Sequence, residues 1–132
     1  MLLLTQLVAL AAIALTGSAS GTPRTLSDSE LLNLLSGTSV TIVNDEGHSV
    51  TTISEVYLSN GRYILYGGRI RHVGQYTVSN GIISYSLTNT SMPSASVVHE
   101  NGRYYYVRPN TTQKDLLQLE PVNEDQYDVL GN

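Results

Sequence analysis

The sequence has no cysteine, no phenylalanine and no tryptophan among its 132 residues. Without cysteine the chain forms no disulfide and offers no thiol for lipid attachment. Without the two larger apolar aromatics, nine tyrosines must supply all the aromatic volume of a core. Because a buried tyrosine hydroxyl needs a hydrogen-bond partner, we expect many of these rings at the rim of the fold or half-exposed.

Charge is also sparse, since only 14% of residues are charged and the formal net charge is −4. Five arginines lie in the middle of the chain, whereas the last 20 residues are acidic with no basic residue after Lys114. We interpret this as an ordinary solvated surface whose two halves attract each other, with an anion-facing patch as the alternative. The absence of a basic stripe argues against nucleic-acid binding.

The amino-terminal segment is predicted to be a secretory leader spanning residues 1–20. Residues 2–15 are almost wholly apolar, and small residues follow, with cleavage expected after Ala19 or Ser20. No lysine or arginine precedes the apolar run, which is atypical of a leader. The run is shorter than the roughly 20 residues that span a bilayer, so we favour cleavage over an uncleaved anchor. Lack of cysteine then favours a bacterial periplasmic or secreted protein without a stable membrane span.

A short helix is predicted over residues 28–36, after a linker at 21–25, within a single domain at 26–132. Ser27 is a favourable N-cap, Glu30 completes a capping box, and Gly37 suits a helix stop in the left-handed region. Leu26 is placed to form a hydrophobic staple. The helix is too short to be stable alone, so its leucines should dock on the rest of the fold. The apolar face is predicted to comprise Leu31, Leu32, Leu34 and Leu35.

Three Asn-Gly pairs at near-even spacing predict a β-meander, because both central residues of a type I′ hairpin turn need positive φ. The pairs are Asn60-Gly61, Asn80-Gly81 and Asn101-Gly102. The alternating segments around them predict strands at Val40–Val43, Val50–Leu58, Arg62–Tyr66, Ile70–Val78, Ile82–Leu87, Ser96–Glu100 and Arg103–Arg108, with short closing strands at Leu116–Pro121 and Gln126–Leu130.

These strands predict a mainly β fold, an antiparallel up-and-down meander that closes into a small barrel of about eight strands. Closure would remove exposed sheet edges. A barrel of about eight strands is filled by side chains or holds one small ligand. Gly74 and the Gly67-Gly68 pair are the predicted bend points.

Three motifs in order carry a resemblance: E-L-L-x-L-L-S-G (30–37), S-N-G-R-Y (59–63) and G-x-Y-x-V-x-x-G-x-I (74–83). Together they resemble small exported bacterial envelope proteins with a leader, a short Leu-rich helix and a lipocalin-like or calycin-like barrel. The resemblance covers about residues 26–107 and implies the fold; many such proteins have no assigned function. This chain has Tyr76 where we expect tryptophan in those proteins, and it lacks the cysteine pair that is frequent there.

No motif of a catalytic or metal site is present, and we assign no cofactor. The three histidines, His48, His72 and His99, are not paired at metal-ligand spacing. We interpret them as unrelated imidazoles, with a zinc site formed from separate strands as the alternative. No G-x-S-x-G nucleophile motif occurs, and no pair of carboxylates stands out as a glycosidase pair.

The most unusual local run is Tyr104-Tyr105-Tyr106, flanked by Arg103 and Arg108. Alternation places Tyr104 and Tyr106 on one face of a strand and Tyr105 on the other. Tyrosine with arginine is typical of binding hot spots, so these five residues are the candidate partner or ligand surface. The alternative is an inner and an outer layer of aromatics that favour strands.

From these observations we expect a monomeric, exported, non-enzymatic binding module that contacts an envelope or extracellular protein, a glycan or another ligand. The alternative is a lipocalin-like carrier of a small hydrophobic ligand inside the barrel. An enzyme, such as a hydrolase, is the third hypothesis, since perturbed groups in a cleft cannot be seen in a sequence.

Overall fold

A computed structural model describes residues 22–130 as one nine-stranded antiparallel sheet with two short helices. The predicted leader and residues 21, 131 and 132 lie outside the described residues. The elements are β1 (Arg24–Thr25), α1 (Asp28–Leu35), β2 (Thr38–Val43), β3 (Ser49–Tyr57), β4 (Arg62–Gly67), β5 (Ile70–Ser79), β6 (Ile82–Leu87), β7 (Ser96–Glu100), β8 (Arg103–Val107), β9 (Lys114–Pro121) and α2 (Asp125–Leu130).

The strand order is β1-β7-β8-β9-β2-β3-β4-β5-β6, so most neighbours in sequence are also neighbours in the sheet. Strand β6, at one end of this order, meets the residue before β7, near the other end, at one point. There Ile83 N donates to Ala95 O at 2.7 Å, and Ala95 N donates to Ile83 O at 3.1 Å. No continuous ladder joins β6 to β7 in the described chain, so the meander is confirmed and barrel closure stays a prediction.

The predicted strands from β2 to β9 are confirmed, each to within two residues at either end. The closing strand predicted at Gln126–Leu130 is wrong, because this segment forms α2. Asn123 starts the helix by accepting a hydrogen bond from the backbone of Asp125 at 3.1 Å. Val122 and Tyr127 pack on the outer face of the sheet, so the segment covers the sheet instead of extending it.

Helix α1 begins with the predicted capping box. Ser27 Oγ accepts from Glu30 N at 3.3 Å, and Glu30 Oε1 accepts from Ser27 N at 2.9 Å. Leu31 and Leu35 are fully buried, as expected for residues four apart on one helix face. The prediction that Leu32 shares this face is wrong, because its side chain is 44% exposed.

Two of the three Asn-Gly turns have the predicted geometry. Asn80 and Asn101 both have φ of 54°, and the glycines that follow have φ of 75° and 79°. At Asn60 the prediction is wrong, since only Gly61 of that pair has a positive φ. The connection from β3 to β4 has four residues, and such loops are most often built around a type I turn.

The inner face of the sheet forms the main core together with α1. Tyr57, Tyr63, Tyr76 and Tyr106 are all buried there, so the expectation that tyrosines gather at the rim is wrong for these four. The ring of Tyr57 packs edge to face against those of Tyr63 and Tyr76, with centroids 5.1 and 5.0 Å away. A smaller outer cluster of Val56, Leu58 and Ile64 is covered by Val122 and Tyr127.

Gly74 lies where β5 and β6 approach too closely for a side chain. A Cβ atom at this position would stand 1.9 Å from the backbone oxygen of Ser86 and 2.9 Å from the Cα atom of Leu87. The contact explains why a glycine occupies this position in the strand, and its predicted role as a bend point for barrel closure stays a prediction.

We expect Gly74→Ala to lower the free energy of unfolding by about 3 kcal/mol or more, since the two strands must separate to admit the methyl group. Gly68→Ala is the matched control. Gly68 lies in the turn between β4 and β5 and has φ of 56°, but no atom comes within 4 Å of the added Cβ. Urea unfolding of both variants measures the difference. A loss at Gly74 no larger than the loss at Gly68 would show that the contact between the two strands does not set the cost.

Candidate functional site

A carboxyl group is buried inside the inner face of the sheet. Glu55 lies in β3 with 4% of its surface exposed, and it is the only charged residue buried in the described chain. Alternation places it on the same side as Tyr57, two residues further along the strand. In the sheet register Glu55 lies opposite Val40 of β2 and Leu65 of β4. A lone carboxyl in such a position costs free energy unless hydrogen bonds compensate it.

Three tyrosine hydroxyls converge on one oxygen of this carboxyl. Tyr57, Tyr63 and Tyr106 donate to Glu55 Oε1 at 3.0, 2.7 and 3.0 Å. The Tyr57 hydroxyl also lies 2.7 Å from that of Tyr85 and 2.5 Å from that of Tyr106. We call these five residues the Glu55 cluster. It brings together side chains from β3, β4, β6 and β8, and therefore links strands distant in the sequence.

The Glu55 cluster contains one more oxygen–oxygen contact than its phenols have protons. Four phenols bring four protons, whereas five contacts lie within hydrogen-bond distance. If three phenols donate to Glu55 and Tyr85 donates to Tyr57, no proton remains between Tyr57 and Tyr106. A proton on Glu55 Oε1 supplies the missing hydrogen bond. It bonds to one phenol, and that phenol then donates its own proton to the contact between Tyr57 and Tyr106. The contact pattern therefore favours a neutral carboxylic acid.

Burial acts on Glu55 in the same direction. Desolvation raises the pKa of its carboxyl, and this outweighs the lowering by hydrogen bonds from Tyr63, Tyr57 and Tyr106 and by the charge of Arg108. Burial also raises the pKa of each phenol in the Glu55 cluster. Every titratable group in the cluster is thus shifted toward its neutral form.

An apolar cavity of about 290 Å³ leads to Glu55 from the end of the sheet opposite α1. Helix α1 packs where β2 begins and β3 ends, as shown by the 2.7 Å bond from Gly37 N to Tyr57 O. The cavity lies where β2 ends and β3 begins. Its walls are formed by Ile42, Val50, Thr51, Ile53, Leu65 and Met92, and its charged groups are Glu55, Arg108 and Asp115.

A larger groove of about 630 Å³ lies on the outer face, between the β4–β5 turn and α2. Its lining includes Tyr66, Arg69, Ile70 and Tyr127, and none of its polar side chains is buried. Ligand pockets combine apolar walls with a few convergent polar groups. The inner cavity fits this description better, because it ends at a buried carboxyl.

The structure separates the five residues predicted as a binding surface. Tyr106 is fully buried in the Glu55 cluster, and Tyr104 stacks on His99 with ring centroids 4.7 Å apart. Arg108 lies over the ring of Tyr106, 4.9 Å from its centroid, and donates to Pro93 O at 3.0 Å.

Only Tyr105 and Arg103 of the five face outward. The ammonium group of Lys114 lies 4.9 Å from the centroid of Tyr105, and Arg103 forms an ion pair with Asp45 at 3.6 Å. The partner-surface hypothesis therefore now concerns these two residues, and for them it stays a prediction.

Of the three histidines, His48 lies near another potential metal ligand, with its Nδ1 atom 3.9 Å from Oε1 of Glu46. Within residues 22–130, no group of three or more histidine, cysteine, aspartate or glutamate side chains is placed to hold a metal ion. Likewise, none of the helices in this range has the length and apolar character that crossing a bilayer requires.

Sequence reasoning missed Glu55 as a site residue. Both faces of its strand mix polar and apolar residues. The outer face carries apolar residues because it is covered by the segment around Val122. One pattern does point to it. When tyrosine replaces phenylalanine throughout a core, the core must also contain an acceptor for the hydroxyls.

Comparison with known proteins gives no relative from which a role can be transferred. No protein-family model, no curated protein and no solved structure matches this chain.

Proposed function

We propose that this protein is an exported, non-enzymatic binding protein that carries a small apolar molecule on the inner face of its sheet. The observation that supports this best is the inner cavity, with apolar walls and a buried carboxyl at its end. Its volume of about 290 Å³ is close to the lower limit of typical small-molecule pockets, about 300 Å³. The ligand is therefore small, and one polar group on it can reach Glu55.

We further propose that the sheet works as a lipocalin-like barrel. The bridge between Ile83 and Ala95 holds the seam between β6 and β7 at one point. Beside it, Leu26 N donates to Val97 O at 2.9 Å, so the segment before α1 lies along the same seam. Helix α1 covers one end, which leaves the opposite end as the entrance for a ligand.

The Glu55 cluster supports a binding role over a catalytic one. A general base must accept a proton from the substrate, and the contacts of the Glu55 cluster favour a carboxyl group that already carries a proton. Export to the periplasm or medium follows from the predicted leader, and Arg103 with Tyr105 is the predicted contact surface for a partner of the carrier.

Binding of hexanol, a small neutral apolar probe, tests the carrier function. We expect measurable binding by isothermal titration calorimetry, and we expect Met92→Trp to weaken it at least about tenfold by filling the cavity mouth. Leu32→Trp is the matched control, because Leu32 is exposed on α1 and does not line the cavity. Melting temperatures of both variants should stay near that of the parent protein.

Two outcomes would contradict the carrier function. One is the absence of hexanol binding together with no small molecule retained in native mass spectrometry of the purified protein. The other is equal weakening by Met92→Trp and Leu32→Trp, which would place the probe outside the inner cavity.

A further inference from the structure

We propose that the ligand of the inner cavity is a small apolar molecule that carries a protonated amine at one end. This inference rests on the proposed carrier function and specifies the chemistry of its ligand. It is drawn from the acceptors, the charges and the occupied donors that the cavity presents.

The free acceptors come from two carboxyl groups. All three phenol bonds to Glu55 end on Oε1, and Oε2 receives none of them from the described residues. Asp115 lines the same cavity, and its Oδ1 accepts a long hydrogen bond from Gln113 Nε2 at 3.3 Å, which leaves further acceptor capacity on this carboxyl. It pairs in register with Tyr106, and paired residues of neighbouring strands point to the same face. A group that enters the cavity with hydrogens to donate therefore meets two carboxyls.

The only cation that lines the cavity is already engaged. Nη1 of Arg108 donates to Pro93 O, and its guanidinium lies over the Tyr106 ring. Among the residues that line the cavity, two carboxyl groups face one guanidinium. An anionic ligand such as a fatty acid would bring a third carboxyl group next to Glu55 and Asp115, and Arg108, whose charge already acts on Glu55, is the only cation among the lining residues. An ammonium group instead supplies the donors that these carboxyls lack.

The preference for an amine holds whether Glu55 is ionised or protonated. When Glu55 is ionised, Oε2 is an acceptor. When the proton lies on Oε1, as the contact pattern favours, Oε2 is a carbonyl oxygen and again accepts. The other titratable groups around this carboxyl are the four phenols of the Glu55 cluster, Arg108 and Asp115. Among these groups Asp115 adds further acceptor oxygens, and they favour the same ligand.

Three six-carbon probes with different polar ends test the proposal: hexylamine, hexanol and hexanoate. We expect the full protein to bind hexylamine at least about tenfold more tightly than hexanol, and hexanoate most weakly, because hydrogen bonds to charged groups are about twice as strong as neutral ones. Calorimetry near pH 7 with all three probes gives the affinity ratios. Hexylamine is charged under these conditions, as a lysine side chain is.

Two variants place the preference at the cavity. Glu55→Gln and Asp115→Asn should each reduce the ratio of hexylamine to hexanol affinity at least about threefold. Glu120→Gln is the matched control, because Glu120 is exposed on β9 and does not line the cavity. Its ratio should equal that of the parent protein.

The outcomes separate this inference from the carrier function. Hexanol binding without a preference for hexylamine would overturn the proposed amine ligand and leave the proposed carrier function intact. A preference for hexylamine that survives in both cavity variants would have the same meaning. If none of the three probes binds, both the amine and the carrier are wrong.

Discussion

Raising the pH above about 10 is expected to unfold this protein in one cooperative transition, with the four phenols of the Glu55 cluster ionising only as the fold is lost. Burial raises the pKa of Tyr57, Tyr63, Tyr85 and Tyr106 above the ordinary value of 10.0. In the unfolded chain the same phenols ionise near their ordinary pKa. Between these limits the folded state holds four protons that the unfolded state releases.

The sign and size of the effect follow from this difference. Because the folded state binds more protons above pH 10, its stability is complete below that pH and falls as the pH rises. Each phenol contributes about 1.4 kcal/mol per pH unit, so the four together contribute about 5 kcal/mol per pH unit. A domain with a typical stability of about 5–15 kcal/mol would then unfold within about one to three pH units.

Two signals recorded on one sample check this expectation. Phenolate absorbance should rise for the four cluster tyrosines at the same pH at which the far-ultraviolet circular dichroism of the sheet disappears. Tyr85→Phe is the control, because it should lower the pH dependence by about one proton. If all phenolate absorbance appears while the dichroism stays native, the hydroxyls of the cluster are not buried as described.

Replacing Glu55 by leucine is expected to destabilise the protein by about 2–4 kcal/mol, because the phenols lose their shared acceptor. Tyr63 is affected most, since Glu55 is its only hydrogen-bond partner in the described chain, whereas Tyr57 and Tyr106 keep their contact with each other. Glu55→Gln retains an acceptor oxygen of the same reach and should cost about 1 kcal/mol or less. Chemical denaturation of both variants at the same pH measures the difference.

The pH dependence of the same variants reports on the Glu55 proton. Burial raises the pKa of Glu55 above the ordinary value of 4.5. The stabilising effect of that proton is therefore complete below about pH 4.5 and is lost as the pH rises through the native pKa. Relative to the parent, Glu55→Gln should gain up to about 1.4 kcal/mol per pH unit across this window. A constant difference between the two proteins from about pH 4 to 8 would mean that Glu55 is ionised in the fold.

The strands could be predicted because their evidence is local. Alternation and Asn-Gly turns placed β6 and β7 at their observed ends, and the capping box placed α1. Segment 126–130 was mispredicted because a run of five residues fits both a strand and a helix, and packing on the outer face decided between them. The type of turn at Asn60 depends on the length of the loop between β3 and β4. The sequence pattern does not place the ends of these strands accurately enough to give that length.

The site could be predicted only in part, since it depends on contacts between distant strands. The three consecutive tyrosines were correctly divided between two faces, but which face is buried followed from the position of β8 between β7 and β9. Glu55 gave no local indication, because a single glutamate in a strand of mixed polarity is usually exposed. Its role depends on phenols from three other strands, which surround its carboxyl only in the folded chain.

The convergence of three hydroxyls on a single oxygen also restricts how this sequence can evolve. A change of Tyr63 to phenylalanine removes one oxygen atom, yet while Glu55 is present that change takes a bond away from a buried acid. Once Glu55 has been lost in a lineage, the same hydroxyls lack their acceptor and destabilise the fold. Phenylalanine is then the more stabilising residue at these sites. Descendants of this protein should therefore either retain the acid with its phenols or replace the whole set, and mixed intermediates should be rare.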